Sequence, residues 1–202
     1  MRTVEQIQNM VGGRWNGMTI FKTGDTIPEN TQNSQSDRFC EVIHLAAINS
    51  TLIDPSEFTC YGARYAFGCN DDSKESMTRK MMESRRFTKE CSRMLLDRTP
   101  RLETIPKAIG FNCSDEPDIL ISQLQPEQVM RLIQLYNCKC GRLYNTEISG
   151  VISACGNTAI KAYKTGDMAF SFGCDDSRTY GGLSRDRLYA GLPYSLALQL
   201  TG

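Results

Sequence analysis

Residues 117–136 read PDILISQLQPEQVMRLIQLY and pass from one kind of backbone to another within three positions. DILISQL (118–124), led by Pro117, is short, apolar and bounded by turn residues, which predicts a buried strand. Gln125-Pro126-Glu127 then starts a helix, because proline has a preset φ and lacks the N–H that a first helical residue leaves unpaired. Val129, Met130, Leu132, Ile133 and Tyr136 supply an apolar stripe, so the helix is predicted over 126–137. A strand feeding directly into such a helix implies a sheet with helices layered against it.

Working outward, further strands are predicted at 18–22 (MTIFK), 104–111 (TIPKAIGF), 168–172 (MAFSF) and 188–192, and 146–152 (TEISGVI) reads as a short strand or a turn into one. Helices are predicted at 3–11, where Thr3 is the N-cap and Gly12 and Gly13 end the run, and at 38–48, 60–67, 155–163 and 193–200. Residues 73–97 read as one long helix closed by Pro100, with Met77, Met81, Cys91 and Leu95 on one face. TGDTIPENTQNSQS (23–36) is rich in turn formers and reads as an exposed loop, and Asp54-Pro55-Ser56-Glu57 reads as a turn. Strands and helices mix without strict alternation. The expected class is α+β or mixed-sheet α/β, built as a single domain over 1–202.

The chain has 202 residues, with 23 basic and 23 acidic side chains. That balance removes the electrostatic case for nucleic-acid binding or for a polybasic membrane surface. No apolar run approaches the ~20 residues of a membrane helix. MRTVEQIQNM, at the N-terminus, has no signal-peptide core. The expectation is a soluble cytoplasmic protein; a homo-oligomer is left open. Thr201-Gly202 ends soon after an apolar helix, as a trimmed chain would.

Nine cysteines in 202 residues fall below the ~8–10% of a disulfide scaffold, and the count is odd. In a reducing compartment such thiols fill the core, bind a soft metal or cluster, or do redox or nucleophilic chemistry. The single histidine, His44, excludes zinc sites that need two or three histidines. It lies in EVIHLAAI and reads as a buried packing residue.

Two stretches resemble one another. Phe67-Gly68-Cys69 matches Phe172-Gly173-Cys174, each followed by acidic residues and a serine. Upstream, Cys60-Tyr61-Gly62-Ala63 and Cys155-Gly156-Asn157-Thr158 each place a cysteine ahead of a predicted helix. Upstream again lie the apolar helices 38–48 and 126–137. The spacing differs, Cys60 to Cys69 being 9 residues and Cys155 to Cys174 being 19. This order implies two pseudo-repeated half-domains, approximately 38–78 and 126–185, packed as one unit with a site at their junction.

Cys60 and Cys155 are the leading candidates. A thiol at a helix start faces unpaired N–H groups and the positive end of the helix dipole, which favours thiolate. Cys40, Cys69 and Cys174 are expected to complete a metal-binding set, with an iron–sulfur cluster or zinc as the candidate cofactor. Sulfurs gathered within ~4 Å of one point would mark a ligand set, given Zn–S bonds of ~2.3 Å. Gly62, Gly156 and Asn157 are expected to let a cofactor approach the backbone. Asp71-Asp72 and Asp175-Asp176 are candidate carboxylate ligands, with turn or cap roles as the alternative.

There is no C-x-x-C, no G-x-G-x-x-G and no phosphate-binding P-loop pattern, and the C-x-C at Cys138-Lys139-Cys140 is a weak metal signal. GVISACGNT (150–158), near Lys161 and Lys164, suits an anion at a helix start, and Arg178, Tyr180, Gly181 and Gly182 form a turn able to approach a ligand. The alternatives to a metal site are therefore a small-molecule anion module or enzyme (phosphate or nucleotide-like) and a scaffold docking through the basic stretch 79–93, including Arg85 and Arg86.

The run ACGNTAIKAYKTGDMAFSFGCDDSRTYGGLSRDRLYAGLPYSL (154–196) resembles the C-terminal signature of the domain of unknown function 169 family, also called ArCR. Arg38-Phe39-Cys40, the Cys60-Tyr61-Gly62-Ala63 element and residues 117–136 resemble its earlier parts. The family's Pro-Val-Ala-like strand is replaced here by MTIFK. The resemblance implies a prokaryotic cytoplasmic protein on a cysteine-rich scaffold and carries over no catalytic residue.

Overall fold

Along 119–124 the side chains alternate between two cores, with Ile119 and Ile121 on one and Leu120 and Leu124 on the other. A strand buried on both faces needs helices on both sides, and that requirement shapes the whole molecule. The computed structural model describes residues 2–29, 31–46, 50–69 and 73–202. In chain order the elements are α1 (Arg2–Val11), β1 (Trp15–Phe21), β2 (Gln32–Asn33), α2 (Phe39–Leu45), β3 (Thr51–Ile53), a 3₁₀ turn (Pro55–Glu57), α3 (Tyr61–Ala66), α4 (Lys74–Glu83), α5 (Lys89–Arg98), β4 (Ala108–Phe111), β5 (Ile119–Leu124), α6 (Pro126–Cys140), a π-helix (Ser153–Ile160), α7 (Lys161–Thr165), β6 (Ala169–Ser171), α8 (Asp175–Thr179), β7 (Leu188–Pro193) and α9 (Tyr194–Thr201).

Seven strands form one mixed sheet in the order β2-β3-β4-β1-β5-β7-β6. Only β2 and β3 pair in parallel; the other neighbours are antiparallel. Around the pair β1 and β5, whose register runs from Trp15↔Ser122 to Met18↔Ile119, two strands lie on either side, with β2 as an extra strand at one edge. β4 and β7 lie next outward, then β3 and β6. Cys60 follows β3, however, whereas Cys155 precedes β6. Segments 38–78 and 126–185 thus do not correspond element by element. They share a local turn: Gly68 (φ 79°) and Gly173 (φ 89°) both carry the chain through left-handed backbone just before a cysteine.

One face of the sheet packs α1, α6 and α9 through Ile7, Val11, Leu132, Tyr136, Leu196 and Leu200. The other packs α2, α3, α4, α5 and the π-helix against Met18, Ile20, Ile109, Ile119, Ile121 and Tyr189. Every candidate cysteine of the sequence lies on this second side. α6 begins as expected, with Gln125 and Gln128 in a reciprocal capping box and Pro126 in the first turn.

Three expectations are corrected. The long helix at 73–97 is two helices: Ser84 ends α4, Arg85 takes φ 59°, and the Thr88 hydroxyl caps α5 by accepting from the Cys91 N–H. Residues 146–152 form no strand; Ser149 turns the chain, its hydroxyl donating to the Val151 carbonyl. His44 is exposed on α2, because the buried stripe there is Phe39, Cys40, Val42 and Ile43. The Asp71-Asp72 pair and the end of the predicted 38–48 helix lie outside the described residues. No helix among the described residues is long and apolar enough to cross a membrane.

Candidate thiol site

Four chain segments, remote in sequence, bring their cysteines to one region. Cys40 sits in the buried first turn of α2. Cys60 is the N-cap residue of α3 and Cys174 that of α8. Cys155 lies inside the π-helix rather than at its start. The π geometry arises because the Ile152 carbonyl accepts from both Gly156 (3.1 Å) and Asn157 (2.9 Å). Ile152 itself holds φ 47°, a left-handed conformation that a β-branched residue adopts only under constraint.

Cys60, Cys155 and Cys174 line one cleft of about 230 Å³, together with Gly62, Met77, Met81, Phe87, Ile152 and Asp176. The Cys60 thiol donates to Asp176 Oδ2 at 3.3 Å. Asp176 also accepts from Arg38, which precedes Cys40 by two residues and stacks 4.0 Å from the Tyr180 ring centre. This pairing ties α8 to α2. The Ser177 hydroxyl lies 3.5 Å from the Cys174 sulfur. Cys40 closes the rear: a Cβ built on Gly181 would come within 2.8 Å of both Cys40 Cβ and the Tyr189 hydroxyl. Lys80, over the Tyr61 ring, and Arg86, paired with Asp175, stand at the rim.

The thiols sense one another. Burial pushes Cys40 up to about 12, and negative charge on Cys60, Cys174 and Asp176 adds to the effect. Burial also pushes Cys60 up to about 12; the Ala63 N–H at the start of α3 opposes this, and Asp176 reinforces it. Cys155 is raised well above the ordinary thiol range by burial, then by Cys60 and Cys174, against the Gly156 N–H. The expectation that helix starts hold Cys60 and Cys155 as thiolates is therefore corrected. Their backbone N–H groups do favour the anion, but removal from water outweighs them.

All nine cysteines are free thiols. Cys69 stands apart from the cleft, buried, with its thiol donating to the Pro55 carbonyl. Gly62 lines the cleft, whereas Gly156 is packed tightly: a Cβ there would lie 2.8 Å from side-chain carbons of Ile152 and Thr99. The Asn157 amide donates to Val151 O (2.8 Å), Ser149 Oγ and Thr99 Oγ1, so it shapes the 149–151 turn. Lys161 and Lys164 donate to the carbonyls of Glu147 and Arg101, which draws them from the proposed anion site at 150–158. Sequence reasoning passed over Asp176 as a thiol partner, although it follows Phe172-Gly173-Cys174 directly. Tyr189 carried no sequence signal; it reaches the cluster only because β7 pairs with both β5 and β6.

Among the described residues no three His, Cys, Asp or Glu side chains form a group that could hold a single metal ion. The sulfurs are thus near enough to couple electrostatically, yet too widely spaced for the ~2.3 Å bonds of one tetrahedral zinc.

Fold and site define a three-layer α+β domain with a cysteine-lined cleft beside its sheet. The chain belongs to the family described as uncharacterised ArCR, domain of unknown function 169, whose model matches residues 17–201. It is 24% identical over 184 residues to the uncharacterized protein MJ0308 of Methanocaldococcus jannaschii, covering 86% of this chain and 79% of that one. No solved structure matches it significantly.

Proposed function

We propose that the protein binds an iron–sulfur cluster through Cys40, Cys60, Cys155 and Cys174 and serves electron transfer or redox chemistry in a reducing, cytoplasmic compartment. The observation that carries this reading is that three thiols from three separate segments line one largely apolar cleft, with a fourth, Cys40, close enough behind it to interact electrostatically with Cys60 and Cys174. A [4Fe–4S] cluster takes each of its four cysteines on a different iron, so its ligands stand farther apart than those of one ion. That accommodates sulfurs too dispersed for a mononuclear site.

Burial favours the same chemistry. An isolated buried thiolate is costly, whereas a metal-bound thiolate has its charge neutralised where it forms. Metal binding must displace each thiol proton. For Cys60 the first acceptor is Asp176, already hydrogen-bonded to the sulfur. Arg38, Arg86 and Lys80 place positive charge around what would be a net-negative cluster, and the Ser177 hydroxyl is placed to donate to Cys174.

Anaerobic reconstitution with ferrous iron and sulfide tests the proposal. The expected result is a broad visible absorption that is lost in Cys60→Ser and Cys155→Ser and kept in Cys69→Ser and Cys138→Ser. A colourless protein, or colour that survives in Cys155→Ser, contradicts it.

A further inference from the structure

A second cleft lies on the far side of the thiol region's wall. It has a volume of about 470 Å³ and is lined by Arg14, Asn16, Ile43, His44, Gln123, Gly182, Ser184 and Arg187. No carboxylate lines it. Three groups able to carry positive charge do, from three different parts of the chain: Arg14 ahead of β1, His44 on α2 and Arg187 ahead of β7. Among the described residues the side chains of Arg14 and His44 have no hydrogen-bonded or ion-paired partner, and Arg187 reaches the Gln123 carbonyl at 3.5 Å and interacts electrostatically with its chain neighbour Asp186. Asp186, which does not line the cleft, accepts hydrogen bonds from Ser184 and Gln125. Glu5 and Asp115 line an adjoining cleft that shares Arg14 and Asn16.

The cleft is built, not incidental. Gly182 has φ 61°, and a Cβ on it would meet the His44 Nδ1 at 2.8 Å, so the glycine leaves room for the imidazole. Gln123 links this cleft to the residues around Cys40. Its amide donates to the Gly181 carbonyl at 2.9 Å and lies 3.4 Å from the Tyr189 hydroxyl, its cross-strand partner. Gly181 packs in turn on Cys40. Cys40 and His44 are one helical turn apart on α2, the first buried and the second open to this cleft.

We infer that this cleft binds a small oxyanion-bearing molecule, a phosphate or carboxylate compound, held by Arg14 and Arg187 with His44 hydrogen-bonded to the anion. Guanidinium groups suit this class because their fixed fork of donors matches the two oxygens of a carboxylate or phosphate. The anion site stands independently of any cluster. Its use as the substrate pocket of the thiol centre rests on the reading above.

His44 is the chain's single histidine, so its ring signals in an NMR spectrum are unambiguous. Metal-free protein is titrated with inorganic phosphate and separately with succinate, at fixed pH and at ionic strength held constant with sodium chloride. The expected result is a saturable shift of the His44 ring signals with at least one probe. Arg14→Gln and Arg187→Gln each weaken apparent affinity by about tenfold, as loss of one charge-assisted contact does. Arg131→Gln, on α6 across the sheet, leaves it unchanged. No saturable shift with either probe, or saturation undiminished in both arginine variants, overturns the inference. Because no iron is present, neither outcome bears on the cluster.

Discussion

Cys60 shows how two local effects compete at one residue. Its place at the N-terminus of α3 favours the thiolate, but burial and Asp176 together leave it protonated at neutral pH. Short pulses of iodoacetamide on the metal-free protein, read by peptide mass spectrometry, are therefore expected to label exposed Cys138 first and Cys155 and Cys69 last. Preferential labelling of Cys60 or Cys155 would show that helix-end polarity wins. A second consequence concerns pH. The pKa values of Cys40 and Cys60 are raised from 9.0 to about 12 on folding, so the folded state holds protons that the unfolded chain has released. Their contribution is complete below pH 9 and declines as pH rises toward 12, at a slope on the order of 1 kcal/mol per pH unit for each independent thiol. Urea unfolding at pH 8, 9 and 10 is expected to show falling stability, and Cys40→Ala is expected to flatten the fall.

At the scale of the element, the π-helix and α3 approach through Ile152, and two glycines permit it to different degrees. Gly156→Ala sets a Cβ 2.8 Å from Ile152 and Thr99 and is expected to cost about 1–3 kcal/mol, whereas Gly62→Ala makes ordinary contacts at 3.5–3.7 Å and is expected to be near neutral. Chemical denaturation of the two variants checks this, and equal losses would contradict it. The same region shows what the sequence could and could not convey. Residues 117–137 were legible because the short apolar run, proline placement and the helical stripe all agree there. Of the five cysteines singled out in the sequence, Cys60, Cys155 and Cys174 line the cleft, Cys40 lies behind it and Cys69 stands apart. The π-helix was not legible, since it depends on the Ile152 carbonyl accepting two bonds after a left-handed turn, a constraint imposed by packing. Nor was the break at Ser84–Thr88, where apolar periodicity continues while the Ser84 and Thr88 caps interrupt the backbone. His44 was misread because EVIHLAAI is apolar in composition, although α2 turns that residue outward.

Across the whole molecule, the sheet separates two kinds of helix layer. α1, α6 and α9 cover one face with a hydrophobic core, while the opposite face carries the thiol cleft and, beside it, the arginine- and histidine-lined cleft. Gln123, which lines the second cleft, pairs across β5 and β7 with Tyr189, which contacts the Cys40 side through Gly181. The arrangement places a thiol-lined cleft suited to a soft-metal cluster near a second cleft suited to an anion. Native mass spectrometry of protein purified without oxygen addresses this most directly. The account predicts one added mass of iron and sulfide per chain, absent after replacement of Cys40, Cys60, Cys155 or Cys174 by serine and unaffected by replacement of Cys69. A chain at its bare polypeptide mass, with iron supplied throughout expression, would contradict it.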